Sequence, residues 1–125
     1  MHKSQLAGFI IDCKTDDLDR AAEFWSRALG YEIQVEKDQP KYRTLNAERR
    51  DLHVEVQQVD HPSRVHLDIE TDDIEAEATR LEKLGAKKVE RLPRWWIMEA
   101  PTGQRFCIVQ PQSDQFSGAA NVWKD

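Results

Sequence analysis

The chain has only two cysteines in 125 residues, Cys13 and Cys107. With no secretory context around them, reduced thiols are expected rather than a bridge. It also lacks a basic surplus: 18 Lys and Arg stand against 23 Asp and Glu, a net charge of -5. The doublets Arg49-Arg50 and Lys87-Lys88 are isolated among acids. Without a basic stripe to neutralise phosphates, nucleic acid is excluded as a partner. No apolar run approaches the roughly 20 residues of a membrane span. The apolar stretch behind Met-His-Lys-Ser-Gln is too short for a signal peptide. These absences point to the cytoplasm, with no membrane partner. The length and the 39% hydrophobic content suit one domain with its own core.

What the chain does have is a repeat. Ile11-Asp12-Cys13-Lys14-Thr15-Asp16-Asp17-Leu18-Asp19 returns as Leu67-Asp68-Ile69-Glu70-Thr71-Asp72-Asp73-Ile74-Glu75, an offset of 56 residues. After one deletion, Ala28-Leu29-Gly30-Tyr31-Glu32 lines up with Lys83-Leu84-Gly85-Ala86-Lys87. Each copy reads as an apolar strand, a Thr-Asp-Asp helix start, an amphipathic helix and a glycine stop. Two copies, where a solenoid needs three or more, imply a pseudo-symmetric domain.

Hydrophobic spacing predicts strands over 6–13, 31–37, 42–47 and 52–58 in the first copy. In the second, strands are expected over 64–70, 86–91, 95–99 and 105–110. The first helix buries Leu18, Ala21, Ala22, Trp25 and Ala28; the second runs from about Asp73 to Leu84 and buries Ile74, Ala78, Leu81 and Leu84. The expected architecture is α+β: two β-α-β-β-β modules, about 6–60 and 64–110, forming a curved mixed sheet around a cleft with helices on the outer face. One domain then spans 1–112. The tail 113–125 is Ser-, Gln- and Gly-containing and reads as loosely packed, with Phe116, Val122 and Trp123 available to cover a neighbour.

Strand alternation sorts the side chains. Phe9, Ile11, Cys13, Leu52, Val54, Val56, Val65, Leu67, Ile69, Phe106 and Ile108 should face the helices. Ile10, Asp12, His53, Glu55, Gln57, His66, Asp68, Glu70, Arg105 and Cys107 take the opposite face. A solvated face is the ordinary outcome for such a sheet. This one, however, places two histidines and several carboxylates at strand centres, a set suited to proton transfer or to a divalent cation. One of Trp95 and Trp96 should face the core and the other the ligand, and Trp96 is taken as a candidate ligand contact. Phe24 and Trp25 read as helix-to-sheet packing, Cys13 as core, and His2 and His61 as solvated.

Glu23-Phe24-Trp25-Ser26-Arg27-Ala28-Leu29-Gly30-Tyr31, Val65-His66-Leu67-Asp68-Ile69 and Pro101-Thr102-Gly103-Gln104-Arg105-Phe106-Cys107-Ile108-Val109 resemble the vicinal oxygen chelate superfamily. That group includes glyoxalase I, extradiol dioxygenases, fosfomycin resistance enzymes and bleomycin-binding proteins. The likeness is strongest to its small glyoxalase-like members. The resemblance implies four ligand positions in the metal-dependent members, which fall here on Ile10, Glu55, His66 and Cys107. His66 and Glu55 match, as metal ligands and as the catalytic pair. Ile10 cannot ligate, and Cys107 replaces the carboxylate that is ligand and base in glyoxalase I, so glyoxalase I activity is not expected.

Cys107 reads either as a small filler or, with His66, as ligands for a softer metal such as zinc. Asp12, His53, Asp68, Trp96, Arg105 and Cys107 are the candidate ligand-binding residues. The resemblance implies a small-molecule enzyme of the lyase, isomerase or dioxygenase kind, with a divalent metal as the candidate cofactor. The alternative is a protein that sequesters a planar compound, as the bleomycin-resistance members do. A homodimer is expected, since pairing would protect exposed edge strands.

Overall fold

The computed structural model describes residues 1–34, 39–112 and 116–124. The strands are β1 (His2–Lys14), β2 (Tyr42–Leu45), β3 (His53–Val59), β4 (Arg64–Thr71), β5 (Lys87–Arg91), β6 (Trp96–Glu99), β7 (Arg105–Val109) and β8 (Asn121–Trp123). The helices are α1 (Leu18–Leu29), α2 (Ile74–Lys83) and the one-turn α3 (Phe116–Ala119). The eight strands form a mixed sheet in the order β2-β3-β1-β4-β7-β6-β5, with β8 added to β1. The fold is α+β. Of the strand expected over 31–37, Ile33 makes a single antiparallel bridge to Leu45, and 35–37 lie outside the described residues.

The repeated Thr-Asp-Asp words do the same work twice. Thr15 Oγ1 accepts from the Asp17 N–H at 3.0 Å, and the Asp17 carboxylate accepts from the Arg20 N–H at 3.1 Å. Thr71 Oγ1 likewise accepts from the Asp73 N–H at 3.1 Å, and Asp73 from the Ala76 N–H at 3.0 Å. Each aspartate therefore satisfies an amide that the first turn of its helix leaves open. Gly30 ends α1 in the left-handed conformation, φ 75°, and its N–H closes on the Ser26 carbonyl. Residues with a Cβ are strained there.

The chain divides into two compact units, Gly8–Val65, and Met1–Ala7 together with His66–Asp125, so β1 contributes residues to both. In the first, β1 runs parallel to β3 and β3 antiparallel to β2. Ile11, Leu18, Ala22, Leu45, Ala47, Val54 and Val56 form its core, with Cys13, Ala21, Trp25 and Leu52 packed around them. Gly8 pairs with His53, and a Cβ at Gly8 would lie 1.8 Å from the His53 carbonyl oxygen. Only a residue without a side chain permits that approach.

In the second unit β4 runs parallel to β7, with β6 and β5 following antiparallel. Ala78, Met98 and Ile108 are its buried centre, flanked by Ile74, Leu81, Ala86, Trp96 and Phe106. The amino end of β1 lies beside β4: Thr71 Oγ1 donates to the Lys3 carbonyl at 2.7 Å, and the Lys3 N–H donates to Asp72 at 2.8 Å.

Several expectations are corrected. His2 is buried, not solvated, and its Nε2 is 2.8 Å from Glu77 Oε1. The tail is not free for a neighbour: β8 pairs antiparallel with His2, Lys3 and Ser4, Phe116 is buried, and Trp123 Nε1 donates to Ser4 Oγ at 2.8 Å. Val65 and Leu67 are exposed, at 59% and 44%. Leu84 and Ala28 fall outside the buried stripes of their helices, and Glu77 is buried on α2 instead. Phe24 is exposed, its ring set T-shaped to that of Trp25 with centroids 5.1 Å apart.

Candidate functional site

In the unit that holds β4 and β7, parallel pairing sets Asp68 opposite Cys107 and Leu67 opposite Phe106. Pairing of β7 with β6 sets Cys107 opposite Ile97 and Arg105 opposite Glu99. Since Phe106 and Met98 belong to the core side, Asp68, Cys107, Arg105 and Glu99 take the other face, and His66, two residues before Asp68, joins them. His66 Nε2 is 3.4 Å from Asp68 Oδ1. His66, Asp68 and Cys107 each offer a donor atom, and the three atoms lie within 4.8 Å of one another. Asp68 is buried, whereas His66 and Cys107 are half-buried. Arg105 Nε donates to Glu99 Oε1 at 3.2 Å on the same face. Glu70, further along β4, is fully buried and accepts from Gln5 Nε2 at 2.8 Å and the Gln112 N–H at 3.0 Å. That bonding makes it a structural carboxylate.

The other unit carries a second polar face on β1 and β3. His53 Nε2 is bonded to Glu55 Oε1. Ile10 pairs with Glu55, and Asp12 with Gln57, whose Nε2 donates to the Tyr42 hydroxyl at 3.0 Å. Asp12 is buried, with Arg64 Nε 3.7 Å and His61 Nε2 3.8 Å from its Oδ2. His61, expected as solvated, is thus half-buried beside a carboxylate. Arg64 and His61 were invisible as site residues because they bracket a proline linker rather than a strand centre. Cys13 packs against the core beside these groups. Burial pushes its thiol up, a hydrogen bond with Trp25 opposes this, and the Asp12 charge adds to the rise. A thiol held protonated is not a nucleophile.

Trp96, expected as a ligand contact, stands on the core side of its strand. It pairs with Ile108 and packs against the Ala78, Met98 and Ile108 cluster on the helix side. Its Nε1 donates to Glu75 of α2 at 3.0 Å, and the Lys88 ammonium sits 5.1 Å from its ring. Arg91 and Trp96 together hold the Glu75 carboxyl below its usual range.

The sequence profile of the glyoxalase-like domain matches residues 8–109. The chain belongs to the glyoxalase-like domain family. A search of curated proteins finds no significant match. Among solved structures, a hypothetical protein of Bacillus halodurans C-125 superposes with a TM-score of 0.67 at 13% identity, over 89% of this chain and 96% of that one. A methylmalonyl-CoA epimerase in complex with methylmalonyl-CoA and NH4+ gives 0.61 at 17%, over 89% and 96%. A glyoxalase/bleomycin resistance protein/dioxygenase superfamily member of Vibrio splendidus 12B01 gives 0.57 at 17%, over 86% and 99%. At these identities the likeness is one of fold, and this fold hosts several chemistries.

Glyoxalase-like proteins often bind divalent metals. The donors on β4 and β7 fit such an ion. A sulfur, an imidazole nitrogen and a carboxylate oxygen within 4.8 Å approach the about 3–4 Å spacing of donors around a tetrahedral ion. No helix among the described residues is long and apolar enough to cross a membrane.

Proposed function

We propose that this glyoxalase-like protein is a small-molecule enzyme of the isomerase kind, moving a proton at a carbon beside a carbonyl. The observation that carries the reading is the His66–Asp68 pair, 3.4 Å apart on a half-buried strand face. An imidazole is the side chain whose ordinary pKa suits proton transfer near neutrality. Asp68 lies beside Nε2, so its carboxylate stabilises the imidazolium that forms when the ring takes the substrate proton. A divalent ion held by Asp68 and Cys107, and not by His66, would supply a Lewis acid to polarise a carbonyl oxygen. Arg105, held by Glu99, offers a guanidinium for an anionic part of the substrate. In the other unit His53 and Glu55 form a second acid–base pair, with Asp12 beside Arg64.

Acyl thioesters, beginning with methylmalonyl-CoA, are the first substrates to test, because an epimerase with this fold takes that compound. Incubation in deuterium oxide should exchange the hydrogen beside the thioester carbonyl. His66→Ala should slow the exchange by about 100-fold or more, the usual contribution of a positioned base. Exchange that is absent on thioesters and simple carbonyl acids alike, or unchanged in His66→Ala, would overturn the reading. A second reading, a binding protein without chemistry, is favoured by Ile10, buried where relatives supply a polar ligand. Tight, stoichiometric binding of a planar compound without exchange would select it.

We further infer a cytoplasmic homodimer. Phe24 and Leu29 expose apolar surface on α1, 61% and 42% accessible, which a second copy would cover. Light scattering that gives the 14.6 kDa of one chain at every concentration would end this inference.

A further inference from the structure

We propose that Trp95 is a specificity-determining residue, the surface on which an aromatic substituent of the substrate stacks. This rests on the reading of the His66 face as the site of proton transfer and goes further, to the class of substrate. That class is a carbonyl acid carrying an aryl group a few carbons from the reacting carbon.

Trp96 stands on the helix side, and Arg91, paired with it, bonds there to Glu75 of α2. Strand alternation therefore turns Trp95 to the opposite face, that of Ile97 and Cys107. Its main chain is fixed: the Leu92 N–H and a terminal nitrogen of Arg91 donate to the Trp95 carbonyl, at 2.9 and 3.2 Å. The other three of the four tryptophans have partners within the protein. Trp25 meets the Phe24 ring, Trp96 donates to Glu75, and Trp123 donates to Ser4 beneath the Arg80 guanidinium. Among the described residues Trp95 has neither a ring partner nor a hydrogen bond at its indole nitrogen, and it is half-buried. Such an indole offers a planar apolar face with a donor at its edge.

The rest of this face is graded along the strands. His66, Arg105 and Glu99 stand level at one end, and Asp68, Cys107 and Ile97 follow two residues along. Two more residues bring Val109 level with Trp95. At about 3.3 Å per residue, Ile97 lies about 7 Å and Trp95 about 13 Å from the charged end. Arg105 commits one of its five donors to Glu99, and its planar fork suits a carboxylate. A molecule with a carboxylate and carbonyl at one end and a ring at the other matches that gradient.

The test gives the full chain 5-phenyl-2-oxopentanoate and, for comparison, pyruvate, which lacks the ring. Tryptophan fluorescence and deuterium exchange beside the carbonyl are read for both. The aryl acid should change the fluorescence and show a KM about 10-fold or more below that of pyruvate, the scale of a good aromatic contact. Trp95→Phe should remove the fluorescence change while keeping most of the preference, whereas Trp123→Phe should keep the change. A folded Trp95→Ala chain should raise KM for the aryl acid about 10-fold with kcat nearly constant, as when binding shared by ground and transition states is lost. Equal KM values for the two acids, an aryl KM unmoved in Trp95→Ala, or a fluorescence change that survives Trp95→Phe would overturn the proposal. If Trp95→Ala does not fold, the Trp95→Phe result decides. Fluorescence change that depends on Trp95 but comes without exchange would spare the stacking surface and sink the proton transfer; exchange indifferent to the ring would do the reverse.

Discussion

His2, the second residue of the chain, shares a fully buried hydrogen bond with Glu77 in the middle of α2, Nε2 to Oε1 2.8 Å. Arg80 completes the arrangement from the next turn, donating from Nε to Oε1 and from its terminal nitrogen to Oε2, both at 2.8 Å. Its guanidinium lies 3.9 Å from the ring centre of Trp123. One carboxylate thus joins the first strand, the second helix and the last strand of its unit.

Glu77→Gln should be among the more damaging single changes. It keeps the shape but leaves Arg80 without its counter-charge, and breaking a buried pair costs about 3–5 kcal/mol. Arg80 keeps 24% of its side chain exposed, so the low end, about 3 kcal/mol, is expected. Urea unfolding should show a lower midpoint with an unchanged slope.

The same carboxylate sets a pH dependence. Burial alone would raise the Glu77 pKa, but hydrogen bonds from Arg80, His2 and Ser4 outweigh it and hold the group below its ordinary 4.5. A folded pKa below the unfolded one means stability that is complete above the unfolded value and is lost as pH falls through the folded one. Unfolding free energy should therefore decline below pH 4.5. That decline should be shallower in Glu77→Gln; an identical slope would show that other carboxylates drive acid unfolding.

Trp123→Ala should cost about 2 kcal/mol, the upper range for a cation–π contact held away from water, and should release β8 from its pairing with His2, Lys3 and Ser4. Hydrogen exchange at the Ser4 amide reports it, with the Lys3 amide, which is bonded to Asp72, as the internal control. Trp123→Phe should keep most of the stacking while losing the bond to Ser4 Oγ. Unchanged protection in Trp123→Ala would mean that the β8 ladder stands without the indole.

Gly8→Ala should disrupt the pairing of β1 with β3, because the new methyl would meet backbone, the His53 carbonyl oxygen at 1.8 Å. Gly118→Ala is the matched control, with nothing within 4 Å of its Cβ position. Loss of soluble folded protein is expected for the first, and a thermal midpoint at or slightly above that of the parent for the second.

The helices and most strands were legible in the sequence because their causes are local. Asp17, Asp73 and Gly30 act on their own turns, and strand alternation put Ile11, Val54 and Val56 in the core without knowledge of their partners. The same alternation put His66, Asp68 and Cys107 on one face. It could not say that Trp96 rather than Trp95 would stand on the core side; pairing with Ile108 across β6 and β7 decides that. Nor does periodicity reveal strand structure in His2, Lys3, Ser4 and Gln5. These residues are polar, and they are held by distant partners: His2, Lys3 and Ser4 pair with β8, more than a hundred residues later, while Lys3 and Gln5 bond to Asp72 and Glu70.

What the chain determined by itself is therefore the repeat, the caps, the apolar stripes and the chemical character of one strand face, all fixed by contacts within a few residues. Tertiary structure alone decided which donors meet. Asp68 reaches Cys107 because β4 and β7 pair in one register, and a slip of one residue would turn the aspartate to the core. It also buried His2 and Glu77 while leaving Leu84 exposed. A charged residue on an apolar stripe is tolerated when its polar atoms are satisfied, here by Arg80 of the same helix and by His2 of a distant strand, and the second partner is invisible until that strand is in place.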